Sequence, residues 1–242
     1  MKISNGDDRS VPSLTQDTAP RIPLLAPEAM NPAQRKVYDA VVSGPRGAMV
    51  GPLRAAIHSP ELAEKWQQFG AVLRYQTTLG ARLNELAILI TARHFDAQFE
   101  WHVHVQAARK AGLPEPIIEA LRLAQRPPDM NDDESMIYDY CDQLHRTHFV
   151  SDDCHRRVQQ RFGTVGVVEL TALVGYYAMV AMTLNAHQLP LPEGVSPPMP
   201  TRQVLLAQGN QPGNPAGIPT SNPASNPASN PASNPASNPA SN

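Results

Sequence analysis

The chain is poor in cysteine. Its two, Cys141 and Cys154, stand thirteen residues apart and form no CxxC, a pattern that suits reduced thiols in a cytosol better than a disulfide framework. It also lacks an excess of either charge. Twenty basic against 22 acidic residues leave a formal net charge of −2 and a pI near 6.4, so there is no basic footprint for nucleic acid. No uncharged apolar run reaches the 18 residues that would span a bilayer. The nearest, residues 170–184, carries small and polar residues and reads as a buried helix. The opening MKISNGDDRS has no apolar core of a signal peptide. Strand alternation of any length is missing too, which excludes a sheet as the organising element. These absences leave an all-helical body expected in the cytoplasm, with a small molecule as its partner rather than nucleic acid or membrane.

What is present is a hydrophobic fraction of 41%, ample for a core, punctuated by helix signals. Residues 1–19 are polar and turn-rich and read as a flexible lead-in. Residues 21–30, RIPLLAPEAM, are too proline-broken for a helix and read as an extended apolar arm along a surface or a neighbouring subunit. Asn31-Pro32 opens the first helix as N-cap and N1, and Ser59-Pro60 opens another that runs to about residue 77. Helices over 81–94 and 97–111 follow, the second stopped by Gly112. Further helices are expected over 116–123, 133–147, 152–162 and 165–187. Beyond residue 188 the composition changes. LPLPEGVSPPMP has five prolines, and residues 221–240 are SNPA five times over. Without charge or aromatics such a tract cannot bury enough to fold. The expected layout is therefore a lead-in over 1–19, one helical domain over 20–200, and a disordered tail over 201–242.

One stretch concentrates ionisable groups inside apolar sequence: residues 84–107, NELAILITARHFDAQFEWHVHVQA. On a helix Glu100 and His104, four apart, lie about 40° apart on one face, and Glu85 sits on the preceding helix among Leu86, Ile88, Leu89 and Ile90. Three proton-handling groups converging from two helices would make a small acid/base site. If buried, Glu85 should be a proton donor near neutrality. Against this stands an ordinary stabilising pair, worth about 0.2–0.5 kcal/mol. His102 and His104 form an HxH, but on a helix they point about 160° apart and cannot chelate one ion together. No further ligand set has recognisable spacing, so no metal is expected. Trp101 reads as core, and Tyr176 and Tyr177 as packing residues of which one hydroxyl could reach a pocket.

The glutamate that opens an apolar helix, followed by EWHVHVQAARKAGL, resembles the carboxymuconolactone decarboxylase family, which is related to thiol peroxidases of the AhpD type. The resemblance implies an AhpD-like helical domain that assembles as a trimer or a related homo-oligomer. The peroxidase branch carries a redox CxxC whose thiols would fall at Ala97 and Glu100 here, so dithiol peroxide chemistry has no sulfur at this site. The decarboxylase branch has a glutamate four residues before the histidine, matching Glu100 and His104. It implies a cofactor-free reaction in which a carboxylated, unsaturated lactone loses carbon dioxide while a proton moves. Glu85, Glu100 and His104 are then the catalytic candidates, and Arg74 and Arg93 the candidates for gripping the substrate carboxylate. The alternatives are a peroxidase relative without its thiols and a non-catalytic binding protein of the same fold.

Overall fold

The computed structural model describes residues 19–201, 204 and 205, so the lead-in and the SNPA tail lie almost wholly outside the described residues. Its organising element is α4 (Ala81–His94), in which all eleven residues from Leu83 to Arg93 are buried. A helix with an apolar surface all round must be covered all round, and four others do this. α5 (Gln98–Lys110), α7 (Asp132–Thr147) and α8 (Asp152–Ala186) pack along it, and the short α6 (Glu115–Arg122) closes one end. On the outer side, α1 (Pro32–Ser43) and the one-turn α2 (Leu53–Ala56) pack on α3 (Pro60–Tyr75), which lies against α8. There are no strands among the described residues.

The helix boundaries follow local chemistry. Asn31 closes a capping box with Gln34, and Asn131 one with Glu134, each side chain satisfying the other's end of the first turn. Ser151 accepts from Cys154 N. Ser59 occupies the N-cap position of α3, but its side chain makes no capping bond; Pro60 and the Glu61 charge carry that start instead. Gly112 follows α5 at φ +81°, where Leu113 N returns to Ala108 O. α8 is two helices joined through Gly163, whose φ of 71° and ψ of 176° are open to glycine alone. By length and composition α8 could cross a bilayer, but half of its apolar window is buried within the protein, where it contacts α3, α4, α5 and α7.

The arm runs over the chain's own α8. Arg21 N donates to His187 O, its guanidinium to Ala186 O, and a single 3-10 turn forms at Pro27–Ala29. Ile22, Leu24, Leu25 and Met30 rest on the core. In α3 the apolar residues divide. Trp66 and Leu73 face inward, whereas Leu62, Phe69, Val72 and Tyr75 are exposed.

Candidate functional site

A helix buried on every side must find internal partners for each polar residue it carries. Asn84 donates to Thr77 Oγ1 and Leu73 O. Thr91 bonds Ala87 O and the His145 ring. Glu85 finds its partner across the hairpin. The turn at residues 95–97, where Asp96 takes φ +53° and Ala97 N bonds Ala92 O, folds α5 back along α4 and returns residue 104 to the level of residue 85. There His104 Nδ1 and Glu85 Oε2 stand 2.7 Å apart, both residues buried.

Glu85, Glu100 and His104 thus all lie around Tyr177, but paired differently from the i, i+4 reading. His104 is bonded to Glu85, not to Glu100. Glu100 is 2% exposed, and neither carboxylate oxygen has a hydrogen-bond partner. Burial therefore raises its carboxyl well above the ordinary glutamate value, which favours the protonated form. The carboxyl without a partner is Glu100, whereas Glu85 is taken up by His104. His104 moves the other way. Burial lowers it, the Glu85 bond and charge oppose this, and the Arg74 and Arg46 guanidinium groups lower it further. A neutral imidazole whose Nδ1–H donates to Glu85 has Nε2 left as a base. Two groups pushed in opposite directions, one a held acid and one a free base, are what proton-transfer chemistry near neutrality requires.

Four residues from other elements complete the surroundings. Tyr177 of α8 sets its ring edge-on to His104, with centroids 4.9 Å apart. Its hydroxyl is held far above the usual tyrosine range, chiefly by burial, and stays a donor. Beside it, Tyr176 meets Trp66 and Phe69 edge-on and receives Arg46 Nη2 at 3.5 Å. The sequence pointed to the two tyrosines only as packing residues with a hydroxyl to spare. Arg46, from the loop after α1, carried no signal at all, because nothing in Gly-Pro-Arg-Gly tells which helix that loop will meet. Arg74, half-buried near the end of α3, bears on His104, Tyr176 and Tyr177 through its charge.

Arg93 lies elsewhere. Its guanidinium donates to Arg122 O and Pro200 O and pairs with Asp96. With His94, stacked on His145 at 4.5 Å, it lines a separate cavity of about 120 Å³. The C-terminal ends of α4, α6 and α7 converge there, so basic side chains answer the negative ends of three helix dipoles. Among the described residues no group of three or more His, Cys, Asp or Glu is arranged to hold a metal ion.

Residues 60–130, which include Glu85, Glu100 and His104, match the model of the carboxymuconolactone decarboxylase family. This segment is carboxymuconolactone decarboxylase-like. The fold of the chain is AhpD-like. It is similar to an AhpD-type protein of unknown function from Agrobacterium tumefaciens (TM-score 0.52, 18% identity, 57% of this chain and 95% of that one). It is similar also to the AhpD core of an uncharacterised peroxidase-related protein from Ralstonia eutropha (0.59, 13%, 72% and 93%). A third such structure is a peroxidase-related protein from Silicibacter (0.54, 13%, 84% and 98%). At these identities the likeness is one of fold alone. No curated protein matches the chain by sequence. The carboxymuconolactone decarboxylase-like segment holds Glu85, Glu100, His104 and Arg74, whereas Arg46, Tyr176 and Tyr177 lie outside it.

Proposed function

We propose that this protein is a cofactor-independent, decarboxylase-like lyase acting on a small carboxylated or lactone-type compound. The observation that carries the reading is the contrast between His104, bonded through Nδ1 to Glu85, and the buried, unpartnered carboxyl of Glu100. In the decarboxylation the bond from the ring carbon to the carboxylate breaks and carbon dioxide leaves. The electron pair passes into an enolate-like system, and Glu100 delivers a proton to the carbon that receives it. His104 Nε2 takes up a proton from water and returns it to the Glu100 carboxylate, so that one proton is consumed for each carbon dioxide released, and the Glu85 carboxylate steadies the imidazolium formed. Arg74 and Arg46 are the guanidinium groups within electrostatic reach of this base; Arg93 is held by other partners. Cys141 and Cys154, both buried, lie on α7 and α8 away from the dithiol positions of the peroxidase relatives.

The same reading includes a homo-oligomer, trimeric or larger. Leu62, Phe69, Val72 and Tyr75 of α3, with Val165, Val168 and Met182 of α8, leave exposed apolar side chains on two packed helices, which supports a covering by a second copy. Incubation with a panel of carboxylated unsaturated lactones, followed by carbon dioxide release and proton NMR of the product, tests the activity. Glu100→Gln and His104→Ala should each abolish turnover while circular dichroism and elution volume stay unchanged. Undiminished turnover in both variants removes the reading.

A further inference from the structure

Between α3, α8 and the loop after α1 lies a group of donors that the Glu85–His104 pair does not use. The Trp66 indole N–H is buried, in a residue 6% exposed, and bears on the Tyr176 hydroxyl without a hydrogen bond of ordinary geometry. Arg46 Nε is likewise buried and without a partner, while its Nη2 reaches Tyr176 Oη only at the long distance of 3.5 Å. A buried donor without a full partner is costly, and two side by side are conspicuous. The neighbours that bear most on the Tyr176 hydroxyl are all donors or cations, namely Arg46, Trp66 and Arg74.

The backbone is shaped to bring them together. A Cβ at Gly70 would stand 2.0 Å from Tyr176 Oη and 2.6 Å from Arg46 Nη2. Glycine in a helix interior gives up helix propensity relative to alanine, and here its bareness admits the phenol and the guanidinium to the helix surface.

We propose that Arg46, Trp66 and Tyr176 form an oxyanion subsite beside His104, and that its ligand is a carboxylate of the substrate. A guanidinium and an indole N–H supply donors without acceptors, and the tyrosine hydroxyl completes them. Two unmet donors call for a group with two acceptor oxygens, and the positive charge of Arg74 nearby favours an anion over a neutral amide. The subsite rests on the reading of the protein as an enzyme for small carboxylated compounds. It goes further in naming the residues that hold the carboxylate while Glu100 and His104 act on the adjoining carbon.

The test uses the full chain and reads binding alone. The protein has two tryptophans, hence two indole N–H signals in a ¹H–¹⁵N spectrum, and Trp101→Phe assigns them. Titration with acetate, benzoate and succinate should shift the Trp66 signal downfield and saturably, with benzamide as the neutral control leaving it in place. Arg46→Gln should weaken the response to the best carboxylate at least tenfold, and Gly70→Ala, by crowding the Tyr176 hydroxyl and the Arg46 guanidinium, should weaken it as well. A Trp66 signal that ignores all three carboxylates overturns the proposal, as does one that responds equally in Arg46→Gln or moves equally with benzamide. If the signal responds as expected but no lactone is turned over, the catalytic reading fails and the subsite stands; turnover with an unresponsive Trp66 signal gives the reverse.

Discussion

Glu85 and His104 come from two different helices, nineteen residues apart in sequence, and their side chains meet at 2.7 Å inside the protein. That bond and the positive charges around it pull on His104 in opposite directions. Glu85 raises its pKa, while burial, Arg74 and Arg46 lower it. Glu85→Gln should therefore drop the His104 pKa further, and Arg74→Gln should let it climb back toward 6.5. Titration of the His104 ring signals by ¹H–¹³C NMR measures both without any substrate. Shifts of the same sign in the two variants would refute the arrangement.

Glu100 gives a pH dependence of stability whose sign is fixed by its burial. Its carboxyl is raised in the folded state. Below the ordinary glutamate value both folded and unfolded chains hold the proton, and pH makes no difference. Above that value the unfolded chain ionises while the folded one does not, so stability falls as pH rises toward the folded pKa, by about 1.4 kcal/mol for each unit of displacement. Glu100→Gln removes this penalty. Thermal unfolding should show the variant matching the parent near pH 4 and exceeding it by several degrees near pH 8. The His104 contribution has the opposite sign, present above 6.5 and lost as pH falls, and it is common to both proteins.

The helices were legible because their ends are written locally, in Asn31-Pro32, in Ser151 and in Gly112. The hairpin of α4 and α5 was legible from the density of apolar residues around Glu85, Glu100 and His104. The pairing within that triad was not, because spacing along α5 places Glu100 and His104 on one face but says nothing of what α4 presents opposite. The same limit hid Arg46 and Tyr176, which approach from elements 130 residues apart. It also hid the division of α3, since a period of three to four fits one buried face and one exposed face equally well.

Gly70 sets two effects of known size against each other. Alanine would add about 1 kcal/mol of helix propensity, but its Cβ would overlap the Tyr176 hydroxyl at 2.0 Å and ring carbon Cζ at 2.5 Å. Tyr176 is buried and wedged between Trp66, Phe69 and Tyr177, so it cannot swing clear, and overpacking of this kind costs about 1–3 kcal/mol. Gly70→Ala should therefore destabilise the protein by up to about 2 kcal/mol in urea unfolding. A variant more stable than the parent would show that the ring is free to move and that only the helix propensity is felt.

The resemblance to AhpD-type thiol peroxidases implies a dithiol at positions 97 and 100, which here are Ala97 and Glu100. Cys141 and Cys154 are 0% and 1% exposed, and burial raises both thiols, so neither offers a thiolate at neutral pH. Thiolate, not thiol, attacks peroxide and exchanges with disulfides. Native protein should accordingly resist iodoacetamide, taking up two labels only once unfolded in urea. Mass spectrometry after peroxide should find oxidation on exposed methionines and no disulfide that dithiothreitol reverses. A reversible Cys141–Cys154 bond, formed stoichiometrically with peroxide consumed, would instead restore a thiol mechanism by a route the family motif does not use.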